Sequence, residues 1–199
     1  MKFKNKQEVR EYVWKNIASL CKYNPYGKIP NFLGAEKACE RIRELEEYKN
    51  SKYLFSAPDS VLLKLREIAL IDQKVLLVAK PKIKGFWLLD RYIKPTIKAM
   101  DQFGKSVRLN ELDIKIDLFI QGCVAVDKMG NRIGKGSGFG DKEYHLLKDH
   151  GLLSDDCLFI VIAHDMQVFD DLSYLMDEHD VKADIILTPS RIIRTKTFL

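Results

Sequence analysis

Two short β-forming runs flank an apolar-periodic stretch between residues 52 and 79, and this spacing constrains the fold more than any other feature of the chain. Residues 52–56 are rich in β-formers and end at Pro58-Asp59-Ser60, where Asp59 or Ser60 can cap a helix carrying Val61, Leu62, Leu65, Ile68 and Ala69. Val75-Leu76-Leu77-Val78 then reads as a buried strand. Strand, helix and strand within about 28 residues make a βαβ unit, which favours a parallel sheet with both faces covered. The expected fold class is therefore α/β, a three-layer sandwich around a mainly parallel sheet.

The remaining segments fit that class. Val9, Val13, Ile17 and Cys21 recur at helical spacing over residues 6–22, with Lys6, Arg10 and Trp14 on the neighbouring stripe. A second helix is expected over residues 34–48, and Asn24-Pro25-Tyr26-Gly27 between them is a loop. Further strands are expected at 86–89, 117–120, 158–163, 185–187 and 192–193, while 92–115 carries no clear period. Residues 123–126 are extended, turn at Asp127-Lys128-Met129-Gly130-Asn131 and return through Arg132-Ile133; a helix then runs from about Asp141 to His150.

With 199 residues, 46% of them apolar, the chain can bury one substantial core, so residues 1–199 are read as one domain. No run approaches the roughly 20 apolar residues that span a bilayer, and the start lacks a signal-like apolar stretch; a soluble, cytoplasmic protein is expected. Cys21, Cys39, Cys123 and Cys157 are widely spaced within apolar segments, as reduced core thiols are, and no His-x-x-x-His pair suggests zinc. The net charge of +5 is spread through mixed positive and negative residues, which argues against a nucleic-acid surface and suits an anionic small ligand.

The segment that carries chemistry is Gly134-Lys135-Gly136-Ser137-Gly138. Glycines at alternate positions let the backbone approach a ligand, take positive φ and present successive amide hydrogens to an anion. The helix behind adds its N-terminal dipole, and Lys135 adds a full charge, so phosphate is the expected guest. The spacing is neither the dinucleotide fingerprint nor a Walker A loop.

This loop, continued as Phe139-Gly140-Asp141-Lys142, resembles the Gly-Arg/Lys-Gly-x-Gly-Tyr-Tyr-Asp-Arg signature of the 5-formyltetrahydrofolate cyclo-ligase family. Two other blocks resemble it in order and distance: Lys6-Gln7-Glu8-Val9-Arg10 on the first helix and His179-Asp180-Val181-Lys182-Ala183-Asp184 near the end. The run from Val124 to Tyr144 looks nearest to the methenyltetrahydrofolate synthetase domain-containing branch and its archaeal relatives. The resemblance implies a fold of the ribose-5-phosphate isomerase and CoA-transferase-like kind. It also implies ATP phosphates held by Lys6, Arg10 and residues 134–138, and Mg²⁺ at Asp141 and Asp180, with Asp184 a supporting candidate and His179 orienting the turn. Lys135 and Asp141 are the implied catalytic residues.

The implied activity is an ATP- and Mg²⁺-dependent ligase of folate and one-carbon metabolism. It would convert 5-formyltetrahydrofolate, or a related formylated pterin, to the 5,10-methenyl form with release of ADP and phosphate. Phe139 and Gly140 replace the paired tyrosines, and Asp59 stands where the family's folate-contacting segment is not clearly matched. The alternative reading is therefore a nucleotide-binding module without cyclo-ligase activity, and a third reading is an RNA-binding accessory protein that uses Arg191, Arg194 and Lys196. His164 is expected to be a hydrogen-bonded structural histidine, and Trp87 to lie either in the core or on a flat pocket wall.

Overall fold

A computed structural model of the protein describes residues 1–196. The strands are β1 (Tyr53–Ser56), β2 (Val75–Ala79), β3 (Phe86–Leu89), β4 (Lys105–Val107), β5 (Ile116–Gly122), β6 (Ala125–Asp127), β7 (Arg132–Ile133), β8 (Leu153–Ile162), β9 (Val168–Phe169), β10 (Ile185–Leu187) and β11 (Ile192–Arg194). The helices are α1 (Lys6–Ile17), α2 (Ala35–Glu40), α3 (Glu46–Lys49), α4 (Leu63–Ile71), α5 (Ile97–Phe103) and α6 (Phe139–Asp149).

Eight strands form one sheet in the order β11-β10-β8-β5-β1-β2-β3-β4, and β7-β6-β9 form a small second sheet. The five central strands are parallel: β1 pairs with β2 and β5, β5 with β8, and β8 with β10. The antiparallel strands β3 and β4 extend one edge and β11 the other. The chain is thus an α/β sandwich on a mostly parallel sheet, as expected from the βαβ unit.

Alternation along the strands sends side chains into two apolar layers. Leu54, Leu76, Leu118 and Ile120 pack with Val13 of α1, Ala38 of α2 and Leu65 of α4 on one face. Phe55, Leu77 and Phe119 pack with Leu147 of α6 on the other. Trp87 is 2% exposed within the first layer, which places it in the core.

Three expected elements differ. The helix expected over 34–48 breaks into α2, a 3₁₀ turn at Arg41–Glu44, and α3 after an extended Leu45. Tertiary ties win over period there: the Arg41 guanidinium donates to the Thr188 and Pro189 carbonyls at 2.8 and 2.9 Å, and Ile42 and Leu45 are buried. The first helix stops at Ile17, and Cys21 bridges to Phe32 instead of extending the stripe. Asp59 occupies the cap position of a 3₁₀ turn leading into α4, but its side chain makes no capping bond. The unassigned stretch 92–115 holds α5, capped by the Thr96 hydroxyl accepting from the Ala99 amide, and the edge strand β4.

All four cysteines are free thiols. Among the described residues no helix is long and apolar enough to cross a membrane.

The connectivity fixes where a ligand can enter. From β1 the chain crosses to β2 on one side, whereas β5 leads to β8 on the other, so the carboxyl ends of the adjacent strands β1 and β5 border a crevice. In open α/β sheets such a switch point is the usual ligand site.

Candidate functional site

A cleft of about 760 Å³ opens at this switch point, within the size range of sites for nucleotides and other small ligands. Its lining includes Lys6, Arg10, Gly134, Lys135, Gly136, Ser137, Gly138, Asp141 and Asp180, so residues from all three sequence blocks reach one cavity, whereas Asp184 and His179 of the third block do not line it. Asp59, Gln121, Arg132, Phe139, Gly140 and Glu143 line it as well.

The hairpin before the glycine loop is built around Asp127, which is fully buried. Its carboxylate accepts from the Met129 and Asn131 amides at 2.9 Å, from the Asn131 side chain at 2.8 Å and from the Leu172 amide at 2.7 Å. Gly130 turns the corner at φ +92°, where a Cβ would lie 2.1 Å from the Ala183 carbonyl oxygen. Only glycine lets the hairpin press against the segment that carries Asp180. The strand β7 then delivers Arg132 and the glycine loop to the cleft.

Within the loop, Gly136 and Gly138 adopt positive φ, whereas Gly134 does not. The Gly134 carbonyl instead accepts from Arg10 Nε at 2.8 Å, which draws α1 against the loop. The helix expected from about Asp141 starts earlier: Gly138 caps α6 from the left-handed region, and Asp141 is the third helical residue. The first turn of α6 lines the cleft and has no side-chain cap, so its unpaired amides and the helix dipole are available to an anion there.

Lys6 and Arg10, one helical turn apart, face that mouth. Lys6 Nζ donates to Asp180 Oδ2 at 2.5 Å and to Asp177 Oδ2 at 3.4 Å. Burial pulls its pKa down, but the bonds and charges of the two aspartates outweigh this and leave it raised. Asp141 is half-buried, and its Oδ1 accepts weakly from the Val181 amide at 3.4 Å. Burial raises its pKa, and the nearby Asp180 carboxylate raises it further.

Asp141 and Asp180 form the acidic pair the sequence pointed to. Among the described residues no group of three or more His, Cys, Asp or Glu is arranged to hold a metal. A pair of carboxylates beside the glycine loop fits Mg²⁺, which takes one or two carboxylates and completes its shell with ligand oxygens and water. Asp184 lies elsewhere: it accepts from the Phe159 amide at 2.9 Å and pairs with Lys196 at 2.8 Å, tying the sheet edge. His179 donates its amide to Asp177, and its ring is exposed. His164 Nδ1 accepts from the Met166 amide at 3.1 Å, the hydrogen-bonded structural role expected.

The cleft floor and the packing behind it hold groups that sequence reading did not assign. Arg66, 1% exposed, reaches back from α4 to donate to the carbonyls of Pro95, Ala57 and Asp59, fixing the loop after β1. Burial lowers its pKa to about 10. Burial raises the Asp59 carboxyl, which Lys135 and Arg132 partly offset. Glu143, 5% exposed, is pushed up to about 8 by burial and by Asp59. Gln121 Nε2 donates to the Gly140 carbonyl at 2.9 Å and to Glu143 at 3.0 Å. No spacing motif contains these residues. The available signal was a charged or amide side chain inside otherwise apolar strand and helix patterns.

A model of the 5-formyltetrahydrofolate cyclo-ligase family matches residues 3–189. A methenyltetrahydrofolate synthase domain-containing protein of Danio rerio is 34% identical over 96% of this chain and 54% of its own length. Its Homo sapiens counterpart is 32% identical with the same coverage, so the chain spans about half the length of these curated relatives. A mitochondrial 5-formyltetrahydrofolate cyclo-ligase of Arabidopsis thaliana is 32% identical over 85% of this chain and 63% of its own. Among solved structures, the 5,10-methenyltetrahydrofolate synthetase of Aquifex aeolicus superposes with a TM-score of 0.66 at 22% identity, covering 98% of this chain and 94% of that one; this likeness concerns the fold. Matched along nearly its whole length, the chain belongs to the 5-formyltetrahydrofolate cyclo-ligase family.

Proposed function

We propose that the cleft binds Mg-ATP and 5-formyltetrahydrofolate, or a related formylated pterin, and closes it to the 5,10-methenyl form with release of ADP and phosphate. The observation that carries this reading is convergence: Lys6 and Arg10, the loop 134–138, Asp141 and Asp180 come from three distant blocks and line one cleft. Lys6, Arg10, Lys135 and the free amides of α6 hold the polyphosphate from both sides. Asp141 and Asp180 would hold Mg²⁺, which when bound would offset phosphate charge. The γ-phosphoryl group passes to the formyl oxygen, making it a leaving group, and the neighbouring folate nitrogen closes the ring. No side-chain nucleophile is needed; Lys135 stabilises the charge that develops in transfer, and Asp141 would be one of the carboxylates that hold the cation.

Four free thiols suit a reducing compartment, and the cytoplasm is our proposal. Phe139 and Gly140, which lack the phenolic hydroxyls of the family loop, favour a second reading, a nucleotide-binding module without ring closure. Its RNA-associated form has less support, because Arg191, Arg194 and Lys196 are paired with Asp165, Glu47 and Asp184. A coupled assay for ADP separates the two. The cyclo-ligase reading expects ADP release only when 5-formyltetrahydrofolate is present, one ADP per folate consumed, whereas folate-independent release would favour the second.

A further inference from the structure

One buried group in the cleft wall has no protein partner. Gln121 is 1% exposed, and its Oε1 makes no hydrogen bond. The amide cannot be flipped to relieve this, because the Gly140 carbonyl is an acceptor only and requires Nε2 on its side. Buried acceptors without partners are rare, and one beside a ligand cleft calls for a ligand donor.

The guanidinium of Arg132 lies next to it. Its Nε donates to the Gly122 carbonyl at 2.9 Å, and among the described residues Nη1 and Nη2 bond to nothing. Gly140 brings the two groups together. A Cβ built there would lie 2.7 Å from Arg132 Nη2, 3.0 Å from Nη1 and 3.0 Å from Gln121 Oε1. Gly140 is helical, with no positive φ to demand glycine, and in a helix glycine is worse than alanine. Its lack of a side chain therefore has a steric reason, which is to leave an acceptor and two donors side by side.

We propose that Gln121 and Arg132, kept open by Gly140, form a subsite that reads the cyclic amide edge of a heterocycle, with the ligand N–H to Gln121 Oε1 and the ligand carbonyl to Arg132. Asp59 and Glu143, on the same floor, suit an exocyclic amino group beside that edge. The edge with this order of groups is that of a 2-amino-4-oxopyrimidine ring, as in a pterin. This deepens the proposed function and rests on it for the choice of pterin. It also accounts for glycine where the family loop carries a tyrosine.

The test uses two fluorescent probes with the full chain, pterin and 2,4-diaminopteridine, in which the 4-oxo group and N3–H are replaced by an amino group and a bare nitrogen. The protein is expected to bind pterin about tenfold more tightly or better, since a site built to hydrogen-bond rejects an analogue with the pattern inverted. Gly140→Ala adds one methyl group at a backbone position that accepts it, and is expected to remove that preference without lowering the melting temperature. Gln121→Leu is expected to remove it as well. Equal affinities in the unmodified protein, no pterin binding, or a preference that survives Gly140→Ala would each overturn the proposal. The ADP assay is independent. Probe preference without folate-dependent ADP release keeps the subsite and rejects the cyclo-ligase reading, and ADP release without preference does the reverse.

Discussion

At the scale of single residues, the proposed phosphate site depends on charges that the fold does not need. Lys135 is exposed and Asp141 half-buried, each with little in the protein to hold it, so Lys135→Ala and Asp141→Ala are expected to weaken Mg-ATP binding at least several-fold in a calorimetric titration while thermal unfolding stays near that of the parent. Unchanged affinity in both would put the nucleotide elsewhere. Glu143 carries the opposite signature. Its carboxyl is raised from 4.5 to about 8, so between those values the native state keeps a proton that the unfolded chain releases. Its contribution is complete below about pH 4.5 and declines as pH rises to about 8, by at most about 1.4 kcal/mol per pH unit. Asp59 and Asp141 shift in the same direction. Urea midpoints at pH 5 and pH 8 should therefore fall less for Glu143→Gln than for the parent; equal falls would contradict the assignment. Lys6, Arg10, Asp141 and Asp180 were legible because a spacing or a motif contained them. Gln121, Arg132 and Glu143 were not, because what matters is their meeting across β5, β7 and α6.

At the scale of elements, the sequence specified what is local. The βαβ unit, the hairpin turn at 127–131 and the helix after the glycine loop follow from residue type and period, and all three form. The helix expected over 34–48 did not survive, because Arg41 is drawn to carbonyls more than 140 residues away and no period records that pull. The hairpin turn is the element on which the site depends. Gly130→Ala would force a Cβ to 2.1 Å from a backbone oxygen at positive φ, with nothing flexible to yield. The expected cost is about 2 kcal/mol or more in denaturant unfolding, with weaker Mg-ATP binding because the Asp180 segment is displaced. A stability unchanged by that substitution would show that the turn does not clamp the segment.

At the scale of the whole molecule, the parallel sheet turns three remote stretches of sequence into one site. The switch between β1 and β5 opens the crevice, α1 covers one side with Lys6 and Arg10, and the small sheet swings the glycine loop across the other. The class of sheet could be read from one 28-residue unit, but the order of strands could not, since edge pairings such as β3 with β2 and β11 with β10 are antiparallel and depend on contacts the pattern does not encode. The measurement that bears most directly on the proposed activity is absorbance in the methenyl-folate band when the protein is mixed with 5-formyltetrahydrofolate, Mg²⁺ and ATP, with ATP omitted as the control. The account predicts growth of the band only with ATP, and its absence in a protein that demonstrably binds ATP would contradict it.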